Sequence, residues 1–188
     1  MDILTCFFPK LSSLTSKEIE EKSGYSHERV FTILKNLVKK KYLVEKKIGK
    51  TNVFDLIRDR DVMYQVFVSY ETARRLKFKE KHPLLYKRLY EFLHEISPEG
   101  PAVVFGSYAK GTQTEKSDVD ILCVSAKGDV TNAVRVFRTK YNINIQAVTL
   151  DISDFRNIKK ENPIFWNDLI EYGIVLDGLD LFFKEAYL

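Results

Sequence analysis

Apolar positions in the first sixty residues recur with helical spacing and then give way to alternation. Val30, Ile33, Leu34, Leu37 and Val38 fall at i, i+3, i+4, i+7 and i+8, which is one face of a helix. Ser26 stands just ahead of the run as an N-cap. His27, Thr32, Lys35, Asn36 and Lys39 occupy the other face. An earlier helix is predicted by Thr15-Ser16-Lys17-Glu18, a capping box in which hydroxyl and carboxylate each satisfy a backbone N–H. It stops at Ser23-Gly24. Beyond the second helix, Tyr42-Leu43-Val44 and Val53-Phe54 read as strands of a hairpin. Its polar tip spans 46–52 and turns at Gly49.

Met63, Val66, Phe67 and Tyr70 make a helical stripe inside 58–81, followed by Arg74, Arg75, Lys77, Lys79 and Lys81. One linking helix is predicted there. Pro83 opens another, with Leu85, Leu89, Phe92 and Ile96 turned to a core, and Pro98-Glu99-Gly100-Pro101 ends it. Strands are predicted over 102–105, 119–124 and 143–150. The polar loop 106–117 has room for one helical turn. Val130, Ala133, Val134 and Phe137 mark a helix, and further helices are predicted over 152–160 and 164–172. Strands interleaved with helices give an α/β or α+β fold with a small mixed sheet. The expected division is 1–57, a linker helix 58–82, and 83–188.

The 188 residues are 45% hydrophobic and 30% charged, enough to bury a core and keep a hydrated surface. No run approaches the ~18 consecutive apolar residues of a membrane span, so no membrane partner is expected. Residues 1–10 include Asp2 and too short an apolar stretch for a leader. Cys6 and Cys123 can form neither a disulfide framework nor a zinc site. Together these predict a cytoplasmic protein. Charge is uneven: residues 1–57 carry 11 Lys+Arg against 7 Asp+Glu, whereas 100–188 carry 10 against 12. A basic front suggests an anionic partner, and an acidic back suggests bound cations.

Helix, tight turn, helix and hairpin follow in the order of a winged helix-turn-helix, and residues 1–57 resemble the small archaeal and bacterial winged-helix DNA-binding domains. The resemblance implies a double-stranded DNA partner, with the second helix in the major groove and the hairpin tip on the backbone. Lys35, Lys39, Lys46, Lys47 and Lys50 suit phosphate contact, which sets affinity and register without reading sequence. His27, Thr32 and Asn36 are the candidates for base edges. A solvated lysine face on a wing that binds protein is the alternative. Winged helices often pair, so a homodimer is expected.

The chemistry lies in Gly106-Ser107-Tyr108-Ala109-Lys110-Gly111-Thr112-Gln113-Thr114-Glu115-Lys116-Ser117-Asp118-Val119-Asp120. It is not a P-loop, because Thr112-Gln113 follow the second glycine where Lys-Ser/Thr are required. Gly106 lets backbone N–H groups approach an anion and Ser107 adds a hydroxyl, which together make a phosphate cradle. Asp118 and Asp120 lie two apart in a strand and share a face. Paired carboxylates repel unless a cation joins them, and oxygen ligands of this kind suit Mg²⁺, or Mn²⁺, together with substrate phosphates. Lys110 is a candidate for phosphate contact and equally a surface lysine.

Gly-Ser, ten residues, then Asp-x-Asp resembles the signature of the DNA polymerase beta-like nucleotidyltransferase superfamily in its minimal form, over residues 83–178. Residues 165–178 also resemble the C-terminal part of prokaryotic members. The resemblance implies an NTP substrate, with Gly106 and Ser107 on its β- and γ-phosphates. It implies two metal ions on Asp118 and Asp120, and transfer of a nucleoside monophosphate to an acceptor hydroxyl on protein or nucleic acid. Minimal members are similar to the antitoxin halves of toxin–antitoxin systems, which implies a helical protein partner. The superfamily places a third carboxylate on the next strand. Here Asn144 and Gln146 share that face, Gln146 aligns best, and an amide cannot act as a base. The alternative function is therefore a DNA-binding regulator whose transferase domain senses nucleotide.

Overall fold

A computed structural model describes residues 3–188. Asp2 lies outside them. The chain divides into two compact units, Met1–Tyr70 and Glu71–Leu188. The division falls inside the helix predicted over 58–81 rather than at either of its ends.

In the first unit a short 3-10 helix, Ile3–Phe7, is buried along its whole length. It precedes β1 (Leu14–Thr15), α1 (Ser16–Ser23), α2 (His27–Lys39), β2 (Leu43–Ile48) and β3 (Thr51–Leu56). The capping box forms: the Glu18 N–H donates to Thr15 Oγ1 at 3.2 Å, and the Thr15 N–H donates to the Glu18 carboxylate at 2.7 Å. Gly24 closes α1 at φ 71°. Ser26 takes the N-cap position of α2, but its side chain makes no capping bond. Val30 and Leu34 bury the predicted face of α2. The hairpin is tighter than its polar composition suggests. Strand pairing runs out to Ile48 and Thr51, so Lys46, Lys47 and Asn52 are strand residues and only Gly49 and Lys50 turn the chain. β1 joins the far side of β3 in an antiparallel sheet of order β1-β3-β2.

The linking helix is α3 (Arg60–Lys81). Met63, Val66 and Phe67 are buried within the first unit. The helix continues into the second, which comprises α4 (Pro83–Ile96), β4 (Ala102–Phe105), α5 (Gly106–Lys110), β5 (Val119–Val124), α6 (Val130–Tyr141), β6 (Ile145–Leu150), α7 (Ile152–Glu161), α8 (Pro163–Tyr172), β7 (Ile174–Asp177) and α9 (Leu179–Tyr187). The sheet is mixed, as expected, in the order β6-β5-β4-β7, with β5 and β6 parallel and the other pairs antiparallel. β6 begins later than predicted because Asn142, at φ 54°, caps α6 and the chain turns before Ile145.

Strand alternation sorts the side chains between the two faces of this sheet. Val119, Ile121 and Cys123 join Leu89, Phe92 and Ile96 of α4 and Ala133 and Phe137 of α6 in one core. Burying each large side chain contributes about 1.5–3 kcal/mol. The even positions of β5 therefore face the opposite side. There Phe105 of β4 meets Phe165 of α8 edge to face at 5.1 Å, and Trp166 packs against Phe155 and Phe182. One charged side chain interrupts the apolar interior. Glu71 is 2% exposed and ties α3 to β7 by accepting the Val175 N–H at 3.1 Å and Arg74 Nη1 at 3.0 Å. Burial pushes its carboxyl above the usual range, opposed by Arg74. Among the described residues no helix is long and apolar enough to cross a membrane.

Candidate active site

The loop predicted over 106–117 opens as a true helical turn. β4 ends at Phe105, and Gly106 starts α5 at φ 66°. The first N–H groups of any helix lack intrahelical acceptors, so those at Gly106 and Ser107 are available to an anion. Phe105 pairs with Asp120 across the sheet, which sets the Asp120 carboxylate directly over Gly106. A Cβ at residue 106 would overlap Asp120 Oδ2 and come within 2.9 Å of its Cγ. Glycine is thus required twice, for the left-handed backbone and for the close approach of the acid.

Asp118 lies one residue before β5, and Asp120 is its second residue. Val119 between them is buried in the α4/α6 core, so the two carboxylates turn to the other face together. Burial, and after it the charge of Asp118, pushes the Asp120 carboxyl above its ordinary value. In the parallel ladder Gln146 is the register partner of Asp120. Its Nε2 donates to Asp118 Oδ2 at 3.2 Å. Two acids and one amide therefore share one surface beside the glycine turn. Among the described residues no group of three or more His, Cys, Asp or Glu could hold a metal ion. The donor set here is two carboxylates, the Gln146 amide and whatever a substrate brings. Mg²⁺ is commonly held by one or two carboxylates plus substrate phosphates, so these residues fit Mg²⁺ or Mn²⁺.

Lys110 is committed elsewhere. Its Nζ lies 2.6 Å from Asp168 Oδ1 and 5.1 Å from the Tyr172 ring centroid, tying α5 to α8. The Asp168 hydrogen bond raises its pKa. The sequence carried no sign of this pair, because the partners are 58 positions apart and both read as surface charges.

In the first unit His27, Thr32, Lys35, Asn36 and Lys39 are all exposed on α2, and Lys46, Lys47 and Lys50 are exposed on the hairpin. Several are already engaged. His27 Nδ1 is 2.7 Å from Glu20, Thr32 donates to the Glu28 carbonyl at 2.9 Å, and Lys46 pairs with Asp55 at 2.9 Å. Lys35 lies 4.2 Å over the ring of Phe31, itself 50% exposed. Phe31 is the residue that sequence reasoning missed on this face. It sits midway between His27 and Lys35 at helical spacing, which was signal enough to find it.

Residues 86–175 match the family described as Nucleotidyltransferase domain, a span that includes the turn, both acids and Gln146. Two proteins of Methanocaldococcus jannaschii, provisionally named protein adenylyltransferases, are similar to this chain. One is 33% identical over 92 residues, 44% of this chain and 61% of that protein. The other is 38% identical over 79 residues, 39% of this chain and 74% of that protein. The chain thus spans about three fifths of the first relative's length. Among solved structures, a toxin–antitoxin with AMP-PNP is similar at 19% identity with a TM-score of 0.39, covering 53% of this chain and 82% of that one. That likeness is too slight to carry an argument.

Proposed function

This chain belongs to the nucleotidyltransferase domain family, and on that premise we propose that it transfers a nucleoside monophosphate from an NTP to an acceptor hydroxyl. ATP is the donor to test first, since both curated relatives carry adenylyltransferase in their names. The acceptor oxygen attacks the α-phosphorus and forms a new P–O bond. The bond to the bridging oxygen breaks, pyrophosphate leaves with the electron pair, and the hydroxyl proton passes to water.

Asp118 and Asp120 would hold Mg²⁺ or Mn²⁺, which when bound offsets the phosphate charge and polarises the α-phosphorus. The Gly106 and Ser107 N–H groups and the Ser107 hydroxyl take the β- and γ-phosphates. Lys110 reaches a phosphate only by leaving Asp168, so its first role is to steady α5 against α8. Gln146 stands in register with Asp120 where a carboxylate would serve as base. It instead donates a hydrogen bond to Asp118, and turnover is correspondingly slow. The observation that carries the reading is the Asp120 carboxylate seated over Gly106 with Asp118 beside it. Incubation with α-labelled NTPs, divalent cation and cell extract tests it. Label should appear in an acceptor with the native chain and vanish with Asp118→Asn. Equal labelling, or none from any NTP, would refute it.

A second reading concerns the first unit. We infer a winged helix that binds double-stranded DNA, supported by the exposed polar face of α2 and the exposed Lys47 and Lys50 on the hairpin. Gel shifts should weaken steeply with salt. Lys39→Glu and Lys47→Glu should each lower the slope of log K against log salt by about 0.9. An unchanged slope would remove this face from DNA contact. If DNA affinity responds to ATP while no label is ever transferred, the chain is a nucleotide-sensing regulator.

A further inference from the structure

Most apolar side chains of α2 turn inward. Val30 and Leu34 are buried, and Ile33, Leu37 and Val38 are half-buried. Phe31 is 50% exposed, yet it is held in place without being covered. One turn before it lies the His27 ring, 6.4 Å away between centroids and tilted by 20°. One turn after it lies Lys35, its ammonium 4.2 Å from the ring centroid. His27 is itself anchored, with Nδ1 2.7 Å from Glu20 Oε1. An aromatic side chain fixed on a helix surface gives up little freedom when a partner covers it.

Glu28, Phe31, Thr32 and Lys35 fall at i, i+3, i+4 and i+7 and form one patch. Thr32 Oγ1 donates to the Glu28 carbonyl at 2.9 Å. Its proton is spent there, so toward a partner it offers its methyl group beside the Phe31 ring. Charge divides along the same helix. Lys35 and Lys39 stand in its second half, and Glu28 is the acid of its first turn. Arg29 lies on the Tyr25 ring, 3.8 Å from its centroid. The second half of α2 and the exposed Lys47 and Lys50 of the hairpin suit phosphates. A carboxylate repels phosphates, so the Glu28 end of the patch suits base edges, where it can accept from an exocyclic amine. The N-terminal residues of a recognition helix are the ones that reach the bases. The apolar group that bases present in the major groove is the 5-methyl of thymine.

We propose that Phe31 reads thymine: the 5-methyl group of one thymine packs on its ring, beside the Thr32 methyl, when α2 lies in the major groove. The proposal rests on the reading of the first unit as a DNA-binding winged helix. It gives that unit a base preference, which contacts between lysines and phosphates do not carry.

The test selects duplexes with a randomised centre on the full chain. The enriched duplex is labelled with fluorescein and titrated by anisotropy at one fixed salt concentration. Each thymine in it is then replaced in turn by uracil, which removes the methyl group and keeps every hydrogen-bonding group. One replacement should weaken binding by the native chain about fourfold, the worth of one buried methyl group. Phe31→Ala should bind the thymine duplex at least fourfold more weakly and should no longer distinguish it from the uracil duplex, so the double change exposes the coupling between ring and methyl. Phe31→Leu, which keeps apolar bulk, should keep part of the preference. Lys39→Glu should weaken both duplexes by the same factor. Thermal melts of Phe31→Ala should stay close to those of the native chain, because the ring is outside the core. A native chain indifferent to every thymine methyl overturns the proposal, as does a preference that survives intact in Phe31→Ala. If that variant instead splits a dimer while the preference persists, the ring belongs to a contact between chains and the proposal fails. Binding to DNA without any enriched sequence overturns it and leaves the DNA reading standing; absence of DNA binding removes both.

Discussion

Replacing Gly106 by alanine separates what the backbone needs from what the chemistry needs. At φ 66° an L-residue carries a backbone cost of about 1–2 kcal/mol, which for a domain of this size lowers the melting temperature by about 4–8 °C. That cost is generic. Gly24, at φ 71° with nothing within 4 Å of its would-be Cβ, carries the same cost in open space. Position 106 adds a collision with Asp120. The new Cβ would lie 2.9 Å from the carboxylate Cγ, well inside the ~3.5–4.0 Å of ordinary carbon contact. The carboxylate must therefore swing by about 1 Å, a misplacement that costs on the order of 10²-fold in rate. Thermal melts and label transfer from α-labelled ATP should show destabilisation in both Gly24→Ala and Gly106→Ala, with loss of transfer only in the latter. Native transfer by Gly106→Ala would refute the placement of Asp120 in the site.

Other expectations follow from the same contacts. Glu71→Ala leaves the Val175 N–H and the Arg74 guanidinium without their shared acceptor, so urea unfolding of the second unit should show a loss of about 3–5 kcal/mol. Gln146→Glu exchanges an amide that donates to Asp118 for a third acid. It should lower metal-free stability, tighten Mn²⁺ binding and raise the transfer rate by about 10²-fold or more if the missing group is the base. Asp120, raised by burial and then by Asp118, has a folded pKa above its unfolded value, so its ionisation opposes folding. Without divalent cation, the stability it contributes is lost as pH rises from the ordinary carboxylate range through the raised value. Asp120→Asn should thus gain on the native chain in melting temperature as pH rises, and divalent cation should stabilise the native chain and narrow the gap.

Local signals in the chain were legible, and contacts between distant positions were not. The Thr15–Glu18 capping box, the buried face of α2 and the alternation around Asp118 and Asp120 each involve residues a few positions apart, and the fold realises them. The pairings that reassign side chains span the chain: Lys46 to Asp55, Lys110 to Asp168, Glu71 to Val175. Nothing in the helical stripe of α3 marks Glu71 as interior, because its acceptor role is created by β7, a strand placed at the sheet edge only by tertiary packing. The apolar stretch within residues 1–10 was assigned no element, and the burial of Ile3–Phe7 likewise depends on what it packs against. Gln146 shows the reverse. Alternation put Asn144 and Gln146 on one face, the resemblance singled out Gln146 as the position next to the acids, and the parallel register sets it beside Asp120.

The central claim is that Asp118 and Asp120 jointly grip a divalent ion that holds the triphosphate. Calorimetric titration of ATP into the full chain, with Mg²⁺ and then with excess chelator, tests it most directly. The account predicts binding with Mg²⁺, loss of at least tenfold in affinity with chelator, and the same loss in an Asp118→Asn/Asp120→Asn double variant. Equal affinity in all three titrations would contradict it.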